Sequence, residues 1–369
     1  MKLVLFFSRG ISFSIWHDSG LLDREIATYK RMLTDIGQVL FVTYGKKSED
    51  TFIRNQKNFQ TLYNHWGFPI DLFGILCPLL FRSKVHDSDI YKTNQINGWW
   101  AGGIAKLLYG KPLVVRCGYL LSLDQERKRY GKFRRHLVSV LERCAFNYAD
   151  ATIVTTRQIK KEVIRRYNIP SRKINVIPNP VDISIFRPIP EIMKVCGRVC
   201  FVGRLSPEKN LELLLEALSG VENVSILVIG DGELKESLKS LATLKGVDAC
   251  FYGNIPNNEL PALLNTCEAF VLPSKWEGMP KALIEAMACG ISVIGTDVPG
   301  IRTLIKHGRT GLLCKAEIES LHNAVKTILG NSQLSEEMGR RARDYVVKNF
   351  SLEHCVSKEL DLLISLAKK

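Results

Sequence analysis

The stretch Leu272-Pro-Ser-Lys-Trp-Glu-Gly-Met-Pro-Lys-Ala-Leu-Ile-Glu-Ala-Met-Ala-Cys-Gly290 contains a complete strand-to-helix transition. It begins at the end of a short apolar run that is typical of a buried strand. Pro280 suits the first position of a helix and Gly290 suits a left-handed cap, so the predicted helix ends at about Cys289. Another strand-like run, residues 292–295, follows at once. This order indicates a βα unit of a mainly parallel sheet.

The same alternation of short apolar runs and amphipathic segments recurs along the whole chain. The predicted strands of the first half are residues 3–7, 38–43, 90–93, 113–116, 152–155 and 174–177, and those of the second half are residues 199–203, 225–229, 249–252, 269–272, 292–295 and 311–313. Residues 22–36, 124–148, 211–218, 332–348 and 352–367 predict helices. Two sets of strands predict two α/β domains.

Residues 177–190 carry four prolines, which cannot continue a helix or a central strand. We interpret this segment as a hinge. The predicted N-terminal domain spans residues 1–185 and is completed by a terminal helix at about residues 352–369, and the C-terminal domain spans residues 186–351. Because parallel sheets bind ligands at the carboxyl ends of their strands, two Rossmann-like domains facing across one cleft are expected.

Two cations lie in the loop Phe201-Val-Gly-Arg-Leu-Ser-Pro-Glu-Lys-Asn210, between a predicted strand and a predicted helix. An anion bound there would meet backbone N–H groups, the positive end of the helix dipole, and the side chains of Arg204 and Lys209. The alternative is a pair of solvated surface charges.

Two glutamates flank the start of the helix at about residue 280. Glu277 lies in the loop before it, and Glu285 lies about five residues into it, roughly 7 to 8 Å along the axis. Two carboxylates so placed can accept hydroxyl hydrogen bonds from two parts of an elongated ligand, such as a sugar ring and a ribose. An ordinary solvated residue is the alternative for Glu285, although its mostly apolar neighbours favour burial.

The segments Glu277-Gly-Met-Pro-Lys-Ala-Leu-Ile-Glu285, Gly203-Arg-Leu-Ser-Pro-Glu-Lys209 and Gly230-Asp-Gly232 resemble the motifs of the retaining family 4 glycosyltransferases of the GT-B fold. The resemblance is strong over residues 196–315 and mainly architectural over the first 180. It implies that Arg204 and Lys209 neutralise the donor diphosphate, that Glu277 holds the transferred sugar and that Glu285 binds the ribose. It also implies donor contacts from Gly20, Gly203, Asn254, Gly278, Met279, Pro280, Lys281 and Ala282, with Asn254 in the loop that touches the nucleobase.

The resemblance further implies transfer of a hexose-type sugar from a UDP- or GDP-linked donor to a glycan or lipid-linked acceptor, in cell-surface polysaccharide or lipopolysaccharide synthesis. Fixed cations at the phosphate lower the barrier to breaking the sugar–phosphate bond, so no metal and no cofactor are expected. Retention favours attack on the front face, with the leaving phosphate taking the acceptor's proton. Glu277 as a covalent nucleophile is the alternative mechanism.

The sequence departs from the family in three loops. Ser19-Gly20 stands where a Gly-Gly pair is usual, and the usual acceptor-side histidine is absent from Val115-Arg-Cys-Gly-Tyr119. Arg116 or Tyr119 is the expected substitute, with a structural role as the alternative for each. Pro299-Gly-Ile-Arg-Thr303 replaces the usual Gly-Gly-x-Pro-Glu loop, which leaves the donor contact of that loop open.

The net charge of +14 belongs entirely to the first domain. Residues 1–185 contain 29 Lys and Arg against 15 Asp and Glu, whereas residues 186–369 contain 22 of each. Much of the excess lies in residues 127–135 and 157–173, which indicates a surface for anionic lipid head groups or nucleic acid, with a solvated helix face as the alternative. The resemblance implies that this domain takes the acceptor, so a membrane that carries the acceptor is the preferred partner. We expect no nucleic-acid partner, and we expect a cytoplasmic protein that is peripheral on the inner face of the cell membrane.

Other features of the sequence narrow the function classes. Ten scattered cysteines without a C-x-x-C pair indicate reduced thiols rather than a zinc site or a disulfide framework. The apolar N-terminus is too short for a signal peptide and predicts a first strand instead. Two rival functions remain: a sugar-nucleotide epimerase of the same fold, which needs no acceptor, and a non-catalytic basic nucleic-acid binder, which leaves Glu277 and Glu285 unexplained.

Overall fold

The computed structural model describes residues 1–54 and 56–368, and the chain divides into two compact units. Unit 1 contains residues 1–18, 25–178 and 355 onward, and unit 2 contains residues 19–24 and 179–354. The predicted boundary at residue 185 therefore lies too late. Val181 and Phe186 are buried in the core of unit 2, and Val181 forms a parallel bridge with Ser351. Lys369, the last residue of the predicted terminal segment, lies outside the described residues.

Unit 1 is built on a parallel sheet with the strand order β3-β2-β1-β4-β5-β6-β7. Its strands are β1 (Lys2–Phe6), β2 (Gln38–Thr43), β3 (Phe59–Tyr63), β4 (Ile90–Thr93), β5 (Leu113–Cys117), β6 (Ala151–Val154) and β7 (Ile174–Val176). Its helices are α1 (Phe13–Asp18), α2 (Leu22–Met32, whose first turn belongs to unit 2), α3 (Ile70–Leu80), α4 (Arg82–His86), α5 (Trp99–Tyr109), α6 (Leu121–Arg127), α7 (Lys132–Tyr148) and α8 (Arg157–Tyr167). The central strands are buried on both faces, as expected of a parallel sheet covered by helices.

Unit 2 repeats this architecture with the order β10-β9-β8-β11-β12-β13. Its strands are β8 (Arg198–Val202), β9 (Ser225–Ile229), β10 (Asp248–Gly253), β11 (Ala269–Leu272), β12 (Ser292–Thr296) and β13 (Leu312–Cys314). Its helices are α9 (Leu211–Leu218), α10 (Lys235–Leu244), α11 (Leu260–Asn265), α12 (Lys281–Ala288), α13 (Pro299–Arg302), α14 (Ile318–Leu329) and α15 (Ser332–Phe350). The terminal helix α16 (Leu352–Ala367) starts in unit 2, and its residues from Cys355 onward belong to unit 1.

Two sequence predictions of secondary structure were wrong in detail. The edge strand β3 was missed because its run Phe59-Gln-Thr-Leu-Tyr63 is short and partly polar. The single helix predicted over residues 124–148 is two helices. Arg129 ends α6 in a left-handed conformation with φ 56°, and the N–H of Tyr130 donates to the carbonyl of Gln125 at 3.0 Å. This Schellman-type turn stops the helix without the usual glycine.

No helix in the described ranges is long and apolar enough to cross a membrane.

Candidate active site

The loop between β8 and α9 carries the two predicted cations, and the glycine-rich loop after β9 holds it in place. The N–H of Leu205 donates to the carbonyl of Asp231 at 2.9 Å. A Cβ on Gly230 would lie 2.0 Å from the carbonyl oxygen of Gly203, and a Cβ on Gly232 would lie 2.3 Å from that of Leu205. Glycine is therefore required at both positions because the two loops touch backbone to backbone.

Lys209 and Glu277 meet as an ion pair, with Nζ 2.6 Å from Oε1. The same carboxylate oxygen accepts a hydrogen bond from Ser274 Oγ at 2.7 Å. The two loops are also joined through the backbone, since the N–H of Lys275 donates to the carbonyl of Glu208 at 2.8 Å. The side chains of Lys209 and Glu277 are 21% and 10% exposed, so both reach the surface of unit 2. The structure thus brings together two of the three predicted catalytic residues.

Arg204, the third predicted catalytic residue, lies on the same loop as Lys209 and is exposed. Within residues 1–54 and 56–368 its guanidinium makes no ion pair and no hydrogen bond. Its charge is therefore uncompensated by protein, whereas that of Lys209 is shared with a carboxylate. A guanidinium in this state presents its full set of N–H donors to an incoming anion, and their planar arrangement fits phosphate oxygens.

Helix α12 begins at Lys281, one residue later than predicted, with Pro280 as its N-cap in an extended conformation. No side chain in the described part of the protein caps this end. The preceding residue is well anchored, because the carbonyl of Met279 accepts a hydrogen bond from Asn179 Nδ2 at 2.9 Å. An uncapped helix start on a fixed loop leaves N–H groups for an anionic ligand. Ala282, the second residue of α12, is partly buried against the core of unit 2.

The segment Pro299-Gly-Ile-Arg-Thr303 forms the short helix α13. A Cβ on Gly300 would lie 2.5 Å from the carbonyl oxygen of Glu277 and 2.6 Å from that of Gly278. This loop differs from the family pattern, but it still packs directly against the backbone of the predicted donor loop. Its contribution to the site in this structure is support for residues 277 and 278.

Glu285 lies on α12 and is 2% exposed. Both of its recorded partners meet one oxygen, Oε1, which lies 3.2 Å from Asn257 Nδ2 and 3.3 Å from Arg24 Nη1. The other oxygen, Oε2, is buried without a hydrogen-bond partner among the described residues. Because an unsatisfied buried carboxylate oxygen is costly, its position indicates a donor that arrives with a ligand.

Sequence reasoning missed two of these neighbours. Asn254 was predicted at this loop, but it is exposed, and Asn257 is the buried asparagine that reaches Glu285. Gly20 has φ +69°, and a Cβ on it would lie 2.0 Å from the carbonyl oxygen of Ile255, so it packs against the same loop. Arg24 follows four residues later in the segment assigned to unit 2. Nothing in the local sequence signals either Asn257 or Arg24.

The two acceptor-side candidates in unit 1, Arg116 and Tyr119, differ in their exposure to solvent. Arg116 is 9% exposed, and its Nη1 lies 3.2 Å from Glu359 Oε2. Lys92 pairs with the other oxygen of Glu359 and donates to Tyr29 at 3.0 Å. Arg116 thus belongs to an internal charge cluster, which corrects its predicted place at the acceptor face. Tyr119 is 50% exposed and stays the acceptor-side candidate.

The charge cluster of unit 1 shifts the pKa values of its members. Burial on its own raises the pKa of Glu359, but attraction to Lys92 and Arg116 outweighs burial, so the pKa is lowered from its usual value of 4.5. Burial on its own lowers the pKa of Lys92, but Glu359 and Tyr29 raise it above its usual value. Both groups therefore stay charged over the neutral pH range.

Each sheet of this two-unit α/β protein is parallel, and the loops at the carboxyl ends of unit 2's strands carry paired cations and carboxylates. Two family models match this chain. Glycosyl transferases group 1 matches residues 188–345, and Glycosyltransferase Family 4 matches residues 38–185. The UDP-Gal:alpha-D-GlcNAc-diphosphoundecaprenol alpha-1,3-galactosyltransferase of Escherichia coli is 30% identical over 301 residues, which are 77% of this chain and 77% of that protein.

Solved structures agree on the fold. Anabaena Alr3699/HepE in complex with UDP and glucose superposes with a TM-score of 0.80 at 21% identity, covering 99% of this chain and 100% of that one. The apo form of the lipopolysaccharide outer core galactosyltransferase WaaB gives a TM-score of 0.65 at 20% identity and covers 99% of each chain. The chain belongs to the family 4 glycosyltransferases of the GT-B fold, which confirms the family and the fold class predicted from its motifs.

Proposed function

We propose that the chain is a retaining, metal-independent hexosyltransferase that uses a UDP- or GDP-linked sugar. Its acceptor is a glycan or a lipid-linked glycan of cell-surface polysaccharide or lipopolysaccharide synthesis. The carrying observation is the Lys209–Glu277 ion pair, 2.6 Å long, on a loop whose second cation, Arg204, has no counter-charge in the described ranges. No cofactor enters the proposal, because the nucleotide sugar is a substrate.

The donor site of the proposal follows from two kinds of polar group in unit 2 that have no protein partner among the described residues. The cation of Arg204 and the uncapped start of α12 suit a diphosphate. The buried Oε2 of Glu285 suits a ribose hydroxyl, which is a hydrogen-bond donor. The name of the Escherichia coli relative specifies UDP-galactose, and the HepE structure contains UDP, which supports a uridine nucleotide as the first choice.

The contacts of Glu277 favour a positioning role over a nucleophilic one. Its Oε1 already accepts from a lysine ammonium and a serine hydroxyl, which lowers the electron density that a nucleophile needs. In the proposed step the bond between the sugar C1 and the diphosphate oxygen breaks while the acceptor oxygen bonds to C1 on the same face. The acceptor's proton passes to the departing phosphate oxygen, and Arg204 and Lys209 stabilise the charge that develops there.

The acceptor side of the proposal rests on unit 1, which carries the whole excess of positive charge. We place the protein in the cytoplasm, on the inner face of the membrane, where an anionic surface presents a lipid-linked acceptor. The relatives named above act on a diphosphoundecaprenol-linked sugar and on lipopolysaccharide outer core, which supports this choice.

The test is a panel of UDP-, GDP- and ADP-sugars incubated with the purified full chain, with and without a glycan acceptor and with and without EDTA. We expect hydrolysis or transfer with one UDP- or GDP-sugar, unchanged activity in EDTA, and a product whose anomeric configuration by NMR matches the donor. Inversion at C1 or loss of activity in EDTA would contradict the proposed mechanism. Conversion of the nucleotide sugar to its epimer without an acceptor would favour the rival epimerase.

A further inference from the structure

Helix α7 presents an apolar face to solvent. Its inward face is anchored by Glu142, which is 1% exposed and whose Oε1 accepts from the N–H of Leu121 at 2.6 Å. Phe133 is 82% exposed and Leu137 is 49% exposed, and Val140 continues the stripe at 42%. These positions recur every three or four residues, so they share one side of the helix. A surface helix normally turns its large apolar residues toward the core, whereas α7 leaves this stripe exposed beside its exposed basic residues.

The helices beside α7 extend this apolar surface. Helix α3 packs against α5, and α5 packs against α7, so the three form one layer. On α3 the exposed side chains are Leu72 at 42%, Ile75 at 50% and Leu79 at 52%, and on α5 they are Leu107 at 74% and Leu108 at 44%. Soluble proteins rarely leave so many large apolar side chains exposed on adjacent elements unless something covers them. We call the exposed apolar residues of α3, α5 and α7 the apolar layer.

Positive charge borders the apolar layer at the start of α7. The exposed basic residues of this region are Arg127, Lys128, Arg129, Lys132 and Arg134, and Arg143 is exposed farther along the helix. In residues 127–148 the sequence has one acidic residue, Glu142, and it points into the core. The guanidinium of Arg134 lies 4.1 Å from the ring centre of Tyr130, so cationic and aromatic groups share this edge.

An anionic bilayer matches this combination better than a second copy of the chain does. A symmetric dimer through this face would bring two strongly basic surfaces together, and residues 1–185 carry a net charge of +14. A bilayer offers anionic head groups to the basic border and hydrocarbon to Phe133 and its neighbours. Charge alone would predict a protein held outside the head groups, whereas the apolar layer requires insertion.

We propose that the apolar layer of unit 1, centred on Phe133 of α7, inserts into the interface of an anionic membrane with its basic border at the head groups. This inference rests on the proposed function, since it supplies the surface on which a lipid-linked acceptor is reached. It adds a specific and partly salt-resistant contact to the electrostatic attraction.

The experiment is co-sedimentation of the full chain with phosphatidylglycerol vesicles and with phosphatidylcholine vesicles, at low and high salt. We expect binding to phosphatidylglycerol that weakens with salt but persists at high salt. The variant Phe133→Ser/Leu137→Ser/Val140→Ser should bind at least about tenfold more weakly in high salt, because the three side chains lose their burial in lipid. The control is Leu244→Ser in unit 2, where an 80% exposed leucine lies outside the apolar layer and binding should be unchanged.

Several results would overturn the inference. They are no binding of the wild type to phosphatidylglycerol, complete loss of binding at high salt, or equal binding by the triple variant. A wild-type dimer that the triple variant converts to a monomer, without vesicle binding, would show that a second copy covers the layer. If the triple variant fails a circular dichroism check, the single change Phe133→Ser replaces it, because that side chain is almost free of protein contact.

Donor hydrolysis in vesicle-free solution separates this inference from the proposed function. We expect the triple variant to hydrolyse the nucleotide sugar at the wild-type rate. Loss of vesicle binding with hydrolysis intact supports the membrane role alone. Vesicle binding by a wild type that uses no nucleotide sugar would contradict the proposed function and leave the docking surface supported.

Discussion

Glu285 of unit 2 and Glu359 of unit 1 are both helix glutamates with 2% exposure, yet their surroundings differ. Each oxygen of Glu359 meets a cation, Lys92 on one side and Arg116 on the other. Both partners of Glu285 meet a single oxygen, and the second oxygen has neither an ion pair nor a hydrogen bond among the described residues. The first arrangement is closed and serves the fold. The second is open and has room for one more donor.

The same contrast holds for the cations of the two units. Lys92 and Arg116 are buried and paired, whereas Arg204 is exposed without an ion pair in the described ranges. Burial and charge alone therefore do not mark a functional group. What distinguishes the site is an incomplete set of partners, because a ligand can complete it, while a closed cluster gains nothing from one.

The largest effect is expected from breaking the closed cluster with Glu359→Gln. This change leaves two buried cations without a counter-charge, which costs about 3–5 kcal/mol of unfolding free energy. Urea unfolding of the full chain can be followed by tryptophan fluorescence, since four of the five tryptophans lie in unit 1. The control is Asp361→Asn, an exposed carboxylate on the same helix. Equal stability of the two variants would show that Glu359 does not compensate the buried charges of Lys92 and Arg116.

The next effect comes from removing the open cation. Arg204→Ala should lower the turnover of sugar transfer by about 10²–10³-fold, roughly 3–4 kcal/mol in the barrier, because the charge on the leaving diphosphate loses a fixed donor. Stability should change by less than about 0.5 kcal/mol, since the side chain is exposed. The control is Arg309→Ala, which removes an exposed arginine from the turn that precedes β13 in unit 2. Near-wild-type turnover in Arg204→Ala would refute its role at the diphosphate.

Glu285→Gln tests the open carboxylate directly. The amide oxygen can still accept from Asn257 and Arg24, but the second position becomes a donor and can no longer accept from a ribose hydroxyl. We expect the dissociation constant for UDP, measured by calorimetry, to rise about 10- to 100-fold, in line with a charged hydrogen bond of about 1.5–3 kcal/mol. Stability should not fall. A stability loss as large as that of Glu359→Gln, with UDP binding unchanged, would place both glutamates in the same structural class.

Sequence patterns were sufficient for the features that are encoded locally. Most strand positions followed from β-branched runs, and the placement of Lys209 and Glu277 in loops at the carboxyl edge of one sheet followed from the strand order, whereas their ion pair is seen only in the structure. The contacts that distinguish the incomplete surroundings of Glu285 from the complete ion-pair cluster of Glu359 are long-range. Arg24 and Glu285 are 261 residues apart, and Arg116 and Glu359 are 243 apart. No spacing rule connects such pairs, so the sequence could not choose between the acceptor-side and the structural role of Arg116, and Asn257 was overlooked.

The apolar layer is a case in which the pattern is visible in the sequence but the side of the helix that faces solvent is not. The helical spacing of Phe133, Leu137 and Val140 is visible in the sequence, but a stripe at this spacing normally faces the core. Only the structure shows that the inward side is taken by Glu142, Ala145 and Phe146. The excess of positive charge is visible in the composition, whereas its position beside an apolar surface is visible only in the folded chain.

The smallest expected effect concerns pH and returns to Glu359. Its pKa is lowered in the folded state, because Lys92 and Arg116 outweigh burial, so the unfolded chain binds a proton more readily. The stability from this group is complete above its usual pKa of 4.5 and is lost as the pH falls through the lower folded value. Urea unfolding between pH 6 and pH 3 should therefore show a steeper fall for the wild type than for Glu359→Gln, which has no such proton to bind. Parallel curves for the two proteins would contradict the lowered pKa and, with it, the view that both cations compensate this carboxylate.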